Sequence, residues 1–295
     1  MNLCFTIVSI KKKPLESRLG NKESKNRLSL TIQTPRVKNY SSVLFGMVEI
    51  QPGLLRFARK DNEGWIAGGT NWDEMIRCAL FDEEDSNVII EKLEVGPLAV
   101  NCYVVGDEAS RAGMIIDPGA ESAAIMKRVK ALGLDIKCIV LTHAHFDHIG
   151  ALKELKEATK AEIAIHTDDA QFLQVGNTLG AVFGFSFPAP PAPDRLLKGG
   201  DSFDLGKHRF LVLHTPGHTP GGICLLGEGV VFTGDTLFNA GIGRTDLPGG
   251  NSNELMESIN TKLMVLSDNI IVYPGHGPGS TIGQERRHNP FLYGY

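Results

Sequence analysis

The sequence contains no run of 18 apolar residues, so nothing in it reads as a membrane-spanning helix. Cysteine is scarce, with five in 295 residues, at Cys4, Cys78, Cys102, Cys138 and Cys224. Odd in number and scattered, they outline no disulfide framework. Cys102, Cys138 and Cys224 lie in apolar runs that suit buried thiols in a reducing compartment. None stands in a nucleophile signature. Both tryptophans, Trp65 and Trp72, sit in one short stretch. Acids are nearly missing from the front of the chain: residues 1–60 hold 12 Lys and Arg against 3 Asp and Glu, leaving 18 against 31 for the rest. The net charge of −4 hides this split, and an acidic body makes the basic front a poor nucleic-acid arm. What is present, 42% hydrophobic and 22% charged residues, is ordinary for a globular domain able to bury a large core.

The chain divides by composition. Residues 1–45 are serine-rich and basic, with Lys11-Lys12-Lys13, and read as an organelle transit peptide, plastid (chloroplast) or mitochondrial. The alternative is a disordered basic tail without an address, which would leave the protein cytoplasmic. A secretory signal fits less well, because the charges follow the short apolar start. Residues 46–87 read as an N-terminal extension or linker, ending near the acidic run Asp82-Glu83-Glu84-Asp85. From Val88 onward strands and helices alternate. Asn101–Val105 and Gly113–Asp117 read as paired strands. Glu121–Leu132 has helical spacing with acids early and lysines late, and Ser252–Leu266 behaves similarly.

Residues 142 to 150 read Thr-His-Ala-His-Phe-Asp-His-Ile-Gly. His143, His145, Asp147 and His148 thus cluster between an apolar strand, Cys138-Ile139-Val140-Leu141, and a segment of helical spacing from Ala151 to Leu155. In extended backbone His143 and His145 share a face, while Asp147 and His148 follow the turn and can face a second centre. Imidazole and carboxylate together favour zinc, iron or manganese over calcium or magnesium. Surface histidines with a helix-capping aspartate are the plainer alternative, and the spacing disfavours it. Four side chains at one turn cannot complete two metal shells, and further ligand types recur downstream. His218 lies in Thr215-Pro216-Gly217-His218, Asp235 in Phe232-Thr233-Gly234-Asp235 and His276 in Tyr273-Pro274-Gly275-His276. Each follows an apolar strand and a glycine that lets the backbone turn sharply.

In combination these motifs resemble the metallo-β-lactamase fold superfamily and, within it, the glyoxalase II branch of hydroxyacylglutathione hydrolases, from about Val88 to Leu292. The resemblance implies an α/β fold, the αββα sandwich: two mixed sheets face to face, helices outside and metals at one edge. Residues 88–295 would form this catalytic domain. It implies two divalent metal ions, zinc with iron or manganese possible. His143, His145 and His218 would hold the first, Asp147, His148 and His276 the second, with Asp235 bridging. The implied activity is metal-dependent hydrolysis of a thioester such as S-D-lactoylglutathione by a metal-bound hydroxide, with Asp147 and Asp235 in the catalytic set. The partner is then a small thioester, with no nucleic acid and no membrane.

Arg244, in Ala240-Gly241-Ile242-Gly243-Arg244-Thr245-Asp246, stands where a basic residue of the family contacts glutathione; a salt bridge to Asp246 is the alternative. His166, His208 and His288 read as ordinary strand or loop histidines, and His214 as a residue that orients a ligand. The chain departs from the larger glyoxalase II pattern at its end, since only 19 residues follow His276 and no helical glutathione-binding domain stands there. The stretch Gly176–Pro193, with Phe183, Phe185 and Phe187, could form an apolar lip in compensation. Two rival functions remain. One is a mononuclear iron persulfide dioxygenase of the same superfamily, using His143, His218 and Asp235 as a facial set. The other is a non-catalytic binding protein with a vestigial site, against which retention of every ligand speaks.

Overall fold

A computed structural model of the chain describes residues 6–11, 29–33, 49–51, 54–61, 64–69 and 88–292. They fall in two units, Met1–Asp85 and Ser86–Tyr295. In the first, β1 (Thr6–Lys11) pairs antiparallel with β2 (Ser29–Gln33). There too, β3 (Glu49–Gln51), β4 (Leu54–Asp61) and β5 (Gly64–Gly69) form an antiparallel sheet. The remainder of the basic front over 1–45, Trp72 and the acidic run at 82–85 lie outside the described residues.

The second unit is built on two sheets of six strands each. The first sheet contains β6 (Val88–Val95), β7 (Val100–Asp107), β8 (Ala112–Ile116), β9 (Asp135–Val140), β10 (Glu162–His166) and β11 (Arg195–Leu197), neighbours in sequence lying side by side. It is mixed: β6, β7 and β8 run antiparallel, whereas β8 through β11 run parallel. The second contains β12 (Ser202–Leu205), β13 (His208–His214), β14 (Ile223–Gly227) and β15 (Val230–Gly234). A short hairpin, β16 (Leu237–Phe238) with β17 (Gly241–Ile242), precedes β18 (Ile271–Pro274) and β19 (Ser280–Thr281), which complete that sheet.

Alternation along the strands sorts the side chains into layers. On β7, Tyr103 and Val105 face a core shared with Met114, Ile116, Phe210, Val212, Leu225 and Phe232, which lies between the sheets. Val104 and Cys102 face the other way, against Ile125 and Val129 of helix Ser122–Leu132 and Leu152 and Leu155 of helix Leu152–Thr159. The outer face of the second sheet presents Val231 and Val272 to Leu255, Ile259, Leu263 and Ile282. These residues come from helix Ser252–Ser258, its π-helical continuation Ile259–Leu263, and helix Ile282–His288. Each fully buried aliphatic side chain contributes about 1.5–3 kcal/mol, and every strand buried on both faces contributes twice over. The result is helix, sheet, sheet, helix, as expected.

Local details differ from the sequence reading. Glu121 is the N-cap of its helix at φ 57° rather than part of its first turn, which holds no acid. The helix from Ser252 is not uniform but passes into π geometry at Ile259. No helix among the described residues is long and apolar enough to cross a membrane.

Candidate metal centre

The site grows from the carboxyl ends of strands in both sheets. After β9 the chain continues extended through Thr142 to His145 (φ −66°, ψ 146°), which caps the single turn Phe146–Ile149. That turn presents Asp147 and His148, so the four motif residues divide as their spacing suggests. His218 follows β13, Asp235 follows β15 and His276 follows β18. β15 and β18 are adjacent and parallel, with Gly234 opposite Pro274, which sets Asp235 beside His276. Gly217 adopts φ 130°, backbone that a side chain strongly disfavours. Gly275 is required for a different reason: a Cβ there would lie 2.2 Å from Asp235 Oδ1.

Two clusters result. Ligand atoms of His143, His145 and His218 lie within 4.8 Å of one another, as do those of Asp147, His148 and His276. Asp235 stands between them, with Oδ2 3.6 Å from His218 Nε2 and 3.7 Å from His276 Nε2, and Oδ1 3.5 Å from His148 Nε2. Asp147 Oδ2 is 3.4 Å from His276 Nε2. The polar atoms that face inward lack partners: His143 Nε2, His148 Nε2, His218 Nε2 and Asp235 Oδ1 are buried without a hydrogen bond. Buried polar atoms are normally satisfied, and four orphans aimed at one volume fit cations that would satisfy them.

The outward edges are held. His148 Nδ1 meets Asp117 Oδ2 at 3.0 Å, His218 Nδ1 meets the Arg244 carbonyl at 2.7 Å and His276 Nδ1 meets the Leu98 carbonyl at 3.0 Å. His143 Nδ1 lies 3.1 Å from Thr142 Oγ1. Such contacts put the ring hydrogen on Nδ1 and leave Nε2 as the donor lone pair. Burial, then His148, His145 and His218, hold His143 well below the usual imidazole range. Burial and the same crowding push His145 down to about 4. Both are therefore neutral at ordinary pH, as ligands must be. Burial opposes charge on His148, yet Asp235, Asp147 and Asp117 outweigh it and raise its pKa well above the ordinary value, so a cation bound here would displace the Nε2 proton. Burial also opposes ionisation of Asp235, and His148, His218 and His276 reverse it, so this carboxylate stays charged.

Two organising residues are absent from the sequence reading. Asp117, 1% exposed, accepts from Thr142 N (2.7 Å) and Thr142 Oγ1 (2.5 Å) as well as facing His148. It ends an apolar strand, the same signal that marked Asp235. Asp169, fully buried, accepts from Ala144 N (3.0 Å) and Gly221 N (2.6 Å), tying the first motif to the loop carrying His218. No local pattern announces it.

Arg244 lies beside the first cluster, but its guanidinium pairs with Asp246 through two 2.7 Å contacts. Its carbonyl, not its side chain, contacts a ligand. His214 contacts no ligand of either cluster directly; its Nε2 meets the Pro220 carbonyl at 3.0 Å and its ring stacks on His166 at 4.0 Å. His208 is buried away from both clusters, between Asp107 (3.3 Å) and Glu228 (2.9 Å). Phe185 and Phe187 of the expected lip line a groove beside Asp147, whereas Phe183 is 58% exposed and stacks on Phe146.

Comparison with known proteins agrees with this geometry. The model of the metallo-beta-lactamase superfamily matches residues 95–276. The chain is 42% identical over 207 residues to hydroxyacylglutathione hydrolase GloC of Haemophilus influenzae, covering 69% of this chain and 97% of that one. Among solved structures, the di-iron-bound form of TTHA1623 superimposes with a TM-score of 0.64 at 39% identity, over 68% of this chain and 100% of that one. ETHE1 from Myxococcus xanthus gives a TM-score of 0.61 at 33% identity, over 70% of this chain and 85% of that one. With two clusters of histidine and aspartate suited to a pair of metal ions at the edge of an αββα sandwich, the chain belongs to the metallo-beta-lactamase superfamily and is a metallohydrolase by kinship.

Proposed function

We propose that this protein hydrolyses thioesters in the manner of glyoxalase II, with S-D-lactoylglutathione as a representative substrate. The observation that carries the proposal is the shared Asp235 between two separately braced clusters. A mononuclear site has no need of His148 and His276, each fixed at Nδ1 and turned toward Asp147 and Asp235. Identity to a hydroxyacylglutathione hydrolase over nearly the whole of that relative supports the substrate class.

His143, His145 and His218 would hold one divalent cation, and Asp147, His148 and His276 the other, with Asp235 between. Zinc, iron or manganese suits these donors, and when bound the pair supplies Lewis acidity and a water acidified toward neutrality. The chain's own groups do the remaining work. Asp147 and Asp235, held ionised by the surrounding imidazoles despite burial, are acceptors for hydrogen bonds from the attacking water. The Leu98 and Arg244 carbonyls and Asp117 keep the rings from turning. Hydrolysis then forms a bond from water oxygen to the thioester carbon and breaks the C–S bond, releasing acid and thiol without a protein nucleophile.

The rival reading, an iron persulfide dioxygenase on His143, His218 and Asp235, draws on the convergence of those three residues. Purified protein decides between them: elemental analysis near two metals per chain and thiol release from S-D-lactoylglutathione support the hydrolase. One iron per chain, oxygen uptake with glutathione persulfide and an untouched thioester would replace it with the dioxygenase. Absence of both activities would leave a binding protein.

A further inference from the structure

The groove beside Asp147 has a volume of about 400 Å³ and is walled by Val95, Leu98, Val100, Phe146, Phe185 and Phe187. It lies against the metal centre, because Asp147 borders both and Leu98 lines the groove while its carbonyl meets His276. Pockets of about 300–1,000 Å³ hold whole small-molecule ligands, so a three-carbon lactoyl group would leave most of this space to water. The charged residues on its wall are Asp147, Glu121 and Glu154; no Lys or Arg occurs among the described residues lining it. Glu121 is fixed there, its Oε1 accepting from Gly96 N at 3.2 Å, and so ties the helix to the loop that forms one wall. Arg244, by contrast, belongs to the loop after the β16–β17 hairpin and is not part of this lining.

We infer that this groove is an acyl site, and that the enzyme prefers thioesters whose acyl group is apolar, uncharged and larger than lactoyl. The inference rests on the thioester-hydrolase reading and adds the acyl class to it. Apolar walls reward each buried methylene by about two- to fourfold in affinity. The two glutamates, though exposed, act in the opposite sense on any acyl group ending in a carboxylate, since like charges on one groove wall repel. An acyl group with a carboxylate therefore loses where one of the same shape without charge gains.

The test uses metal-loaded protein as purified and glutathione thioesters that differ only in the acyl group. Expected is a kcat/KM for 4-methylpentanoyl about tenfold above that for lactoyl, and about tenfold above that for succinyl, which matches it in shape but carries a charge. Ala123→Trp, at an exposed position in the first turn of helix Ser122–Leu132 on the groove wall, should lower the ratio of 4-methylpentanoyl to lactoyl turnover about tenfold. Glu121→Gln combined with Glu154→Gln should raise succinyl turnover relative to 4-methylpentanoyl. A binding arm needs no turnover: by calorimetry, S-hexylglutathione should bind about tenfold tighter than S-methylglutathione, and Ala123→Trp should erase the difference. Equal binding of the two thioethers, or succinyl handled as well as 4-methylpentanoyl, overturns the acyl site. No turnover of any thioester, with the hexyl preference intact and lost in Ala123→Trp, overturns the hydrolase reading instead and leaves the groove's preference standing.

Discussion

Replacing Asp117 with asparagine tests whether the centre depends on a residue that would touch neither metal. The carboxylate receives Thr142 N, Thr142 Oγ1 and His148 Nδ1 at 2.7, 2.5 and 3.0 Å. Asparagine keeps the shape and one acceptor oxygen but turns an NH2 toward one of these donors. Facing His148, that NH2 requires Nδ1 to become an acceptor, which moves the ring hydrogen to Nε2. This nitrogen lies 3.5 Å from Asp235 Oδ1 and 3.8 Å from Asp147 Oδ2, on the inward edge where a lone pair is wanted. Losses of this kind weaken metal binding by about 10–100-fold, or about 1.4–2.7 kcal/mol. The apoprotein should lose only about 1–3 kcal/mol of stability, the cost of one poorly matched buried donor. Asp117→Ala abandons three donors and should cost more, about 3–5 kcal/mol. Dialysis against graded chelator followed by elemental analysis reads the affinity, and thermal unfolding of the chelated protein reads the fold. If Asp117→Asn retains both metals through the same chelator concentration as the parent, the bracing argument is wrong.

Further expectations concern other parts of the chain. Asp235→Ala should strip both metals, whereas His276→Ala should mainly empty the second cluster; elemental analysis distinguishes them. Arg244→Ala should raise KM for a glutathione thioester more than it lowers kcat, because the guanidinium lies at the periphery and its carbonyl, which meets His218, is unchanged by the substitution. Burial pushes the Cys138 thiol up to about 12 and Cys224 up to about 11, so at pH 8 at most about one in a thousand is thiolate. Mass mapping after brief alkylation should find both unmodified in native protein and modified after unfolding. Deleting residues 1–45 should leave activity and melting temperature unchanged, and that segment fused to a fluorescent reporter should enter an organelle; cytosolic fluorescence would remove the targeting proposal alone.

The two clusters are legible in the sequence because four ligands crowd between His143 and His148, while His218, Asp235 and His276 each stand past an apolar strand and behind a glycine. The layers were legible for a similar reason, since β7 alternates Tyr103 and Val105 with Val104 between two cores. Asp117 carries the strand-end signal too, but its meaning lies in His148, 31 residues away, and no local pattern states that pairing. Asp169 joins Ala144 to Gly221 across 25 and 52 residues, which only the folded chain brings together. The π turn at Ile259–Leu263 keeps Ile259 and Leu263 buried, so the apolar spacing of a plain helix survives and conceals the change. Arg244 stands out in the sequence by its charge, whereas the contact to a ligand is made by an atom every residue possesses.

Leu98 and Arg244 each grip a histidine through the main chain, while their side chains, 43% and 59% exposed, stand free of that task. Mutation at either position can therefore change what the site greets without loosening what it holds. At these two places loop shape, not residue identity, sets the grip on the histidines. A lineage built this way can explore new substrates while its inorganic centre stays as it was.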